Sequence, residues 1–221
     1  MIRTWVVGTL LVLAPVVLTG CAADPSGNEM VMGEAAGTAE APDAAQEETQ
    51  APPDPLATPD APAPSSADPA TGIRITKQGY EYSAPQGWVE ITKQMRESGQ
   101  DIDTAVGEAM SGATTVRENL NVVLTPAPGG SMEAYEAIAA DTLKFMVKDL
   151  DVYDRTVIDG REAVHVGGVA EVGNASFFFE QYIAEKDGTM YAISFAVDLA
   201  TPEAGRRELI DSVLASWKWP A

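Results

Sequence analysis

Three aspartates close together in this chain have side chains that could do chemistry. Asp149, Asp151 and Asp154 lie within six residues, in the sequence KDLDVYDR. Paired carboxylates act as acid and base in glycoside hydrolysis, and close carboxylates also bind hard cations such as Ca²⁺. We interpret them as solvated acids, because Asp149 lies at the end of a predicted helix and Asp151 in the loop after it. Catalysis by carboxylates is the alternative.

The single histidine, His165, is the other residue with catalytic chemistry. A Ser-His-Asp arrangement could use it, but the chain contains no G-x-S-x-G sequence or comparable nucleophile context. One histidine and no available cysteine leave only carboxylates as metal ligands. We therefore expect no catalytic residue, no metal site and no cofactor. The pair Gly167-Gly168, on the same predicted strand, is interpreted as marking a strand bulge rather than a phosphate-binding loop.

The only cysteine lies near the N-terminus, in the sequence VVLTGCAADP. It follows Arg3 and an apolar run from Trp5 to Leu18, which is shorter than the ~18–20 residues that span a membrane and is typical of a signal peptide. Thr19-Gly20-Cys21 resembles the bacterial lipobox, in which the thiol is acylated and the chain is then cut before the cysteine. We predict cleavage between Gly20 and Cys21, and lipidation of Cys21 with diacylglycerol and palmitate. Two acyl chains on one residue give stable anchoring.

Residues 21–72 have the composition of a tether. Residues 22–72 contain ten acidic and no basic side chains, nine prolines, fourteen alanines and no aromatic residue. Such a segment buries too little apolar area to offset its chain entropy, so we predict a disordered linker. A flexible coil of this length reaches roughly 40 Å, and charge repulsion and proline lengthen it. The domain organisation predicted is a signal peptide over 1–20, the lipidated cysteine and tether over 21–72, and a globular domain over 73–221.

The charge of the chain excludes one class of partner. The formal net charge is −19, and residues 73–221 alone carry 23 acidic and 13 basic side chains with no basic stripe. Nucleic-acid binding needs clustered Lys and Arg, so no nucleic acid is expected as a partner. We expect the protein to be exported and anchored to the cell membrane through acylated Cys21. Because Ala22 stands where aspartate would favour inner-membrane retention, an outer-membrane destination stays open if the source is a diderm.

The globular domain is predicted to be of mixed α and β structure. Hydrophobic periodicity and the positions of turn residues predict a series of strands and helices. The predicted strands are Tyr80–Ser83, Trp88–Ile91, Asn119–Thr125, Val152–Ile158, Glu162–Val172, Ser176–Ala184 and Thr189–Val197; the predicted helices are Ile102–Met110, Met132–Leu150 and Thr201–Ser216. Asp159-Gly160 and Asp187-Gly188 predict tight hairpin turns. Hairpin-linked strands and amphipathic helices together indicate a mainly antiparallel sheet covered by helices, in the α+β class.

Several short sequences resemble a known family in their order along residues 76–219. They are Tyr80-x-Tyr82-x-x-Pro85-x-Gly87-Trp88, Asn119-Leu-Asn-Val-Val, Ile158-Asp-Gly160-Arg-Glu-Ala163, Gly188-Thr-Met-Tyr191-Ala-Ile-Ser-Phe195 and Ser212-Val-Leu-Ala-Ser216-Trp. They resemble the PsbP/Mog1-like domain, an α/β/α sandwich, and more particularly the actinobacterial LpqN/LpqT lipoproteins. The resemblance implies a cell-envelope protein with protein or lipid partners. It supplies no catalytic motif, and a fold shared by unrelated tasks does not select one.

Aromatic residues of the predicted sheet provide one candidate binding surface. Phe177 and Phe179 point to the sheet face opposite to that of Phe178. We interpret both faces as covered by helices. The alternative is an apolar surface for an acyl chain or a partner, lined by Trp88, Phe177, Phe179, Tyr182 and Tyr191. The hypotheses are therefore a non-catalytic binding or accessory module for an envelope protein or lipid, a carboxylate-based hydrolase or transferase acting on envelope material, and a structural accessory subunit of a membrane complex.

Overall fold

The structure is a computed structural model that describes residues 66–109, 117–173 and 175–220. The predicted signal peptide, Cys21 and the predicted tether up to residue 65 lie outside the described residues. Within the described part of the chain, nine strands and three helices follow one another. They are β1 Arg74–Lys77, β2 Tyr80–Ser83, β3 Trp88–Glu90, α1 Thr92–Glu97, β4 Thr104–Glu108, β5 Asn119–Pro126, α2 Met132–Leu143, β6 Val147–Ile158, β7 Arg161–Val172, β8 Ala175–Lys186, β9 Thr189–Asp198 and α3 Glu203–Ser216.

Among the described residues, seven strands form one sheet, in the order β3-β4-β5-β9-β8-β7-β6, and every neighbouring pair is antiparallel. β1 and β2 form a separate hairpin. Side chains alternate across β8: Phe177 and Phe179 pack in the core beneath α2, whereas Phe178 packs against the core beneath α3. Each sheet face is thus covered by a helix. The predicted α+β fold, a mainly antiparallel sheet between helices, is confirmed.

The core beneath α3 is built around one tryptophan. Trp217, which follows α3, is fully buried and stacks at 5.1 Å centroid distance on both Tyr80 and Tyr82. Large aromatic side chains bury much apolar area, so this stack fixes the β1–β2 hairpin against the end of α3. Backbone hydrogen bonds in both directions between Glu81 and Lys218 extend the hairpin towards the C-terminal segment. At the end of the predicted tether, the amide of Ala70 donates to the carbonyl of Ser212 in α3.

The core beneath α2 follows a helical repeat. Tyr135, Ala139 and Leu143 are buried and lie four residues apart, so they share one helix face. They pack with Phe177 and Phe179 of β8. No helix in residues 66–109, 117–173 and 175–220 is long and apolar enough to span a membrane.

Two predicted helices differ from the structure. Most of the predicted helix Ile102–Met110 is the strand β4, because residues 104–107 are buried and pair with β5; Met110 itself lies outside the described residues. The helix in this region, α1, lies upstream and was not predicted. The helix predicted over Met132–Leu150 ends at Leu143, since the chain from Val147 onward pairs with β7. Phe145, which lies within the predicted helix, is 81% exposed in the turn that follows α2.

The two predicted Asp-Gly turns are confirmed. Asp159 and Gly160 have φ angles of 45° and 82°, and Asp187 and Gly188 have φ angles of 52° and 76°. Positive φ at both central residues gives the turn a twist that matches its flanking strands, so the β6–β7 and β8–β9 hairpins close without splaying.

Candidate functional site

The five aromatic residues predicted to line an apolar surface are buried. Their exposed fractions are at most 6%, and the residues are Trp88, Phe177, Phe179, Tyr182 and Tyr191. The first four lie within the packed cores, because α2 covers one face of the sheet, and α3 and the β1–β2 hairpin cover the other. Both faces are therefore covered, as interpreted from the sequence, and the alternative of an apolar surface open to a ligand at these residues is wrong. Tyr191 alone among them borders an open cleft.

The three aspartates lie along β6, which has a strand neighbour on only one side in the described part of the chain. Asp149, Asp151 and Asp154 are all exposed. The register of β6 against β7 shifts between Lys148 and Asp151, opposite Gly168 of β7. The strand bulge expected near Gly167-Gly168 is therefore on β6, the strand that pairs with these glycines. Charged residues and bulges on an edge strand hinder its pairing with other chains. This role explains the three aspartates of β6, and no bound ligand is needed to explain them.

His165 lies in β7 between two tyrosine rings. It pairs with Tyr153 of β6 and Tyr182 of β8, and its ring centroid lies 4.4 Å and 4.2 Å from theirs. Its Nε2 is 3.0 Å from Oε2 of Glu180. The side chain is 18% exposed. The imidazole is thus held in place on three sides.

Glu180 joins His165 to helix α3. Its Oε1 accepts a hydrogen bond of 3.0 Å from Nε of Arg206, and its Oε2 accepts one of 3.3 Å from the Tyr182 hydroxyl. Burial raises the pKa of the Glu180 carboxyl, but the hydrogen bond from His165 and the charges of His165 and Arg206 outweigh it, so the pKa lies below its usual value. The Arg206 guanidinium also lies 3.8 Å from the Phe178 ring centroid.

We call His165, Glu180, Arg206, Tyr153 and Tyr182 the histidine cluster. Among its described contacts, His165 has no serine, threonine or cysteine side chain from which it could take a proton. Burial and the nearby Glu180 charge raise the pKa of Tyr182 well above its usual value, so its hydroxyl stays protonated as a donor. The arrangement fastens α3 to the sheet and contains no activated nucleophile.

An open cleft of about 620 Å³ lies where the β1–β2 and β8–β9 hairpin turns approach the ends of β4 and β5. We call it the hairpin cleft. It is lined by Lys77, Gln78, Gly79, Asp103, Leu124, Lys186, Asp187, Thr189 and Tyr191. Its volume lies within the range of small-molecule sites, and charged and polar side chains dominate its lining. No group of three or more His, Cys, Asp or Glu side chains within the described ranges is placed to hold a metal ion.

Tyr191 reaches the first turn because residue 79 is glycine. A Cβ at position 79 would lie 2.7 Å from the Tyr191 hydroxyl, and Gly79 has a φ of +93° that favours glycine. Burial raises the pKa of Tyr191, as does the charge of Asp187, so the hydroxyl remains a hydrogen-bond donor. Within the described part of the chain, no hydrogen bond occupies this hydroxyl.

Two lysines line the same cleft from the two hairpins. Lys186 is 8% exposed, and its ammonium donates to the carbonyl oxygen of Pro220 at 2.5 Å. Its nearest carboxylate contact is to Asp187 at 3.6 Å, which is too long for a strong hydrogen bond. Lys77 forms no ion pair with any described residue. The cleft therefore offers cationic donors that the protein itself uses only in part.

Asp103 adds a carboxylate that the fold already uses. Its Oδ2 accepts a hydrogen bond of 2.6 Å from the Tyr80 hydroxyl, and its Oδ1 lies 3.8 Å from Arg96. Burial raises the pKa of Tyr80 far above its usual value, and the bond to Asp103 raises it further, so Tyr80 donates. Contacts within the protein therefore already occupy this carboxylate. The sequence signalled only part of the cleft, through the Asp187-Gly188 turn and Tyr191, because β1 and its Lys77 were not predicted.

No family model matches the chain, and no curated protein matches it. Among solved structures, the chain is similar to PsbP (CyanoP) from Synechocystis, with 15% identity over 67% of this chain and 92% of that chain and a TM-score of 0.47. It is similar to LpqN of Mycobacterium tuberculosis, a protein described as involved in cell envelope biogenesis, with 8% identity over 67% and 90% of the two chains and a TM-score of 0.49.

A third similar structure comes from Bacteroides thetaiotaomicron, with 13% identity over 68% of this chain and 49% of that chain and a TM-score of 0.43. PsbP and LpqN are also the names of families that the short sequences along residues 76–219 resemble.

Proposed function

We propose that this protein is a cell-envelope lipoprotein whose domain is a non-catalytic binding module, with the hairpin cleft as its binding site. The observation that carries the proposal is the cleft itself. It has the volume of a ligand site, and it presents lysine and tyrosine donors without a full set of partners among the described residues. The sequence around Cys21 supplies the membrane anchor, and residues 22–72 supply the tether.

The lining of the cleft favours one kind of partner over another. An acyl chain needs an apolar cavity, and the aromatic residues that could have lined one are packed in the cores. Lys77, Lys186 and Asp187 favour a polar or charged group carried by an envelope molecule. The alternative of a carboxylate-based enzyme gains no support from the exposed acids of β6, so we propose binding rather than catalysis.

A photo-crosslinking experiment in the cells that make the protein tests the binding site. A photoreactive amino acid is placed at Gln78, which is exposed in the first hairpin turn and lines the cleft. The matched control is Gln86, an exposed glutamine in the turn between β2 and β3 that does not line the cleft. We expect a discrete adduct from position 78 and none from position 86. The absence of an adduct at 78, or equal adducts at both positions, would contradict the proposed site.

Replacement of Cys21 by serine tests the anchor independently. We expect the Cys21→Ser precursor to stay unprocessed and to lack acylation, because the thiol is the acceptor, whereas Ala23→Ser is processed normally. Mass spectrometry of the N-terminal peptide checks both. Diacylated, processed protein from the Cys21→Ser chain would refute the lipoprotein assignment.

A further inference from the structure

The Lys186 ammonium lies buried at the cleft with part of its donor capacity unused. An ammonium has three N–H groups, and the described contacts give it one short hydrogen bond to Pro220 and one long contact to Asp187. The Asp187 side chain is 79% exposed, so water screens its charge. Among the described residues, the one carboxylate paired with this buried ammonium lies 3.6 Å away, and an anion that entered the cleft would add a closer contact.

Two further donors border the same space. Lys77 stands at the end of β1 and has no ion pair with a described residue, so its flexible stem can direct its ammonium towards an anion. The Tyr191 hydroxyl, which lies against Gly79, is a third donor without a described hydrogen-bond partner. The three donors come from β1, β8 and β9, so the two hairpins bring them together.

The types of these donors indicate which anion suits the cleft. The cations that line the cleft are two lysines and no arginine, so they bring two positive charges, of which a single carboxylate would offset only one. Lysine binds phosphate as a compact point charge, and a phosphate monoester carries close to two negative charges at neutral pH. We propose that the hairpin cleft binds a phosphate monoester group, with Lys77, Lys186 and Tyr191 as donors to its oxygens. The inference rests on the proposed function, because it assigns a ligand class to the cleft.

The acidic residues of the cleft are compatible with such a ligand. Asp103 accepts a hydrogen bond from Tyr80 and lies 3.8 Å from Arg96, so contacts within the protein already occupy its carboxylate. Asp187 lies at the exposed rim, and a phosphate oxygen would replace its 3.6 Å contact with Lys186. Binding through two ammonium groups implies a strong dependence on salt, since screening weakens both contacts.

A titration of the purified full chain in neutral detergent micelles tests the proposal. Phenyl phosphate is added at pH 8, and the amide signals of Gly79, Thr189 and Tyr191 are followed by NMR. We expect saturable shifts at these residues and much weaker effects from acetate. Lys77→Gln and Lys186→Gln should each weaken binding about tenfold or more, and Tyr191→Phe should weaken it about fivefold. Because Lys186 is buried and its replacement also affects folding, the decisive variant is Lys77→Gln, at a half-buried residue at the end of β1.

Lys93→Gln is the matched control, because it removes the same charge from a side chain that is 90% exposed in α1 and outside the cleft. We expect less than a twofold change for it. Three results would overturn the proposal: shifts that do not saturate, acetate acting as strongly as phenyl phosphate, or equal weakening by Lys93→Gln and Lys77→Gln.

A second titration distinguishes the sources of the phosphate monoester. Phosphatidic acid in the same micelles carries this group on a lipid, whereas phenyl phosphate carries it in solution. Displacement of phenyl phosphate by phosphatidic acid identifies a lipid headgroup, and retention of phenyl phosphate identifies a soluble ligand; both agree with the proposed chemistry. Failure of the phosphate titration together with a discrete adduct at Gln78 would refute the ligand class and leave the cleft as the binding site.

Discussion

Replacement of Glu180 by glutamine should strongly destabilise the domain, because Glu180 is the counter-ion of Arg206, whose side chain is mostly removed from water. The side chains of Glu180 and Arg206 are 15% and 16% exposed, and Glu180 also accepts hydrogen bonds from Tyr182 and, when its Nε2 is protonated, His165. Loss of one partner of a fully buried ion pair costs about 3–5 kcal/mol. Because part of each side chain here still reaches water, we expect a loss of about 2–4 kcal/mol in the free energy of unfolding.

The assay is urea denaturation followed by tryptophan fluorescence, since Trp217 is fully buried in the folded state. Glu171→Gln is the matched control: its pair with Lys148 is exposed, so we expect a change below about 1 kcal/mol. In the double variant Glu180→Gln/Arg206→Met, the buried cation is also removed, so the loss should be smaller than the sum of the two single losses by about 1–3 kcal/mol. Equal effects of Glu180→Gln and Glu171→Gln, or strict additivity, would refute the reasoning.

The same pair predicts a pH dependence. The pKa of Glu180 is lower in the folded chain than its ordinary value of 4.5, so its contribution to stability is present above that value and is lost as the pH falls through the folded pKa. The difference between the wild-type chain and Glu180→Gln should therefore be complete at pH 7 and shrink in acid. A difference that stays constant down to strongly acid pH would show that the charge of Glu180 is not the cause.

The remaining predictions concern close packing and a surface charge network. Gly167→Ala should destabilise the domain by about 1–3 kcal/mol, because its Cβ would lie 2.7 Å from the carbonyl oxygen of Phe179. Gly205→Ala in α3 should stabilise the domain by about 0.5–1 kcal/mol, since the nearest atom to the new Cβ is 3.6 Å away. Urea denaturation measures the free energy of unfolding of the two variants. Destabilisation by both substitutions would contradict the reasoning. Hydrogen bonds from Ser131 and Arg155 lower the pKa of Glu133 from 4.5 to about 2. The stability gained from Arg155 should therefore fall as the pH drops through that range. Thermal unfolding of the wild-type chain and of Arg155→Met at several pH values measures this, and equal pH dependence in both chains would contradict it.

The parts of the fold that could be predicted depend on local sequence. Side-chain alternation in β8 placed Phe177 and Phe178 on opposite faces, and the Asp-Gly pairs fixed two hairpin turns, because both signals act over two to four residues. β4 was missed because its strand state comes from pairing with β5, which the short sequence of residues 104–108 does not reveal. The helical pattern of α2 continued in the sequence beyond Leu143, but pairing of β6 with β7 ended the helix there.

The candidate site was harder to predict than the fold because distant segments form it. Lys77 and Lys186 line one cleft only because the stacking of Trp217 fixes the β1–β2 hairpin near the β8–β9 turn. The alternative of an apolar surface lined by the aromatic residues was wrong, because helices and a hairpin cover these side chains. Alternation shows which sheet face a side chain occupies, but it does not show which helix or hairpin covers that face.

The most direct test of the central claim is photo-crosslinking at Gln78 in living cells, repeated with Lys77→Glu in the same chain. If the hairpin cleft is the binding site and its lysines take part, a discrete adduct forms at position 78 and decreases at least tenfold when the charge at residue 77 is reversed. A control adduct at Gln86 should be absent in both chains. An adduct at 78 that is unchanged by Lys77→Glu, or no adduct at 78 at all, would contradict the account.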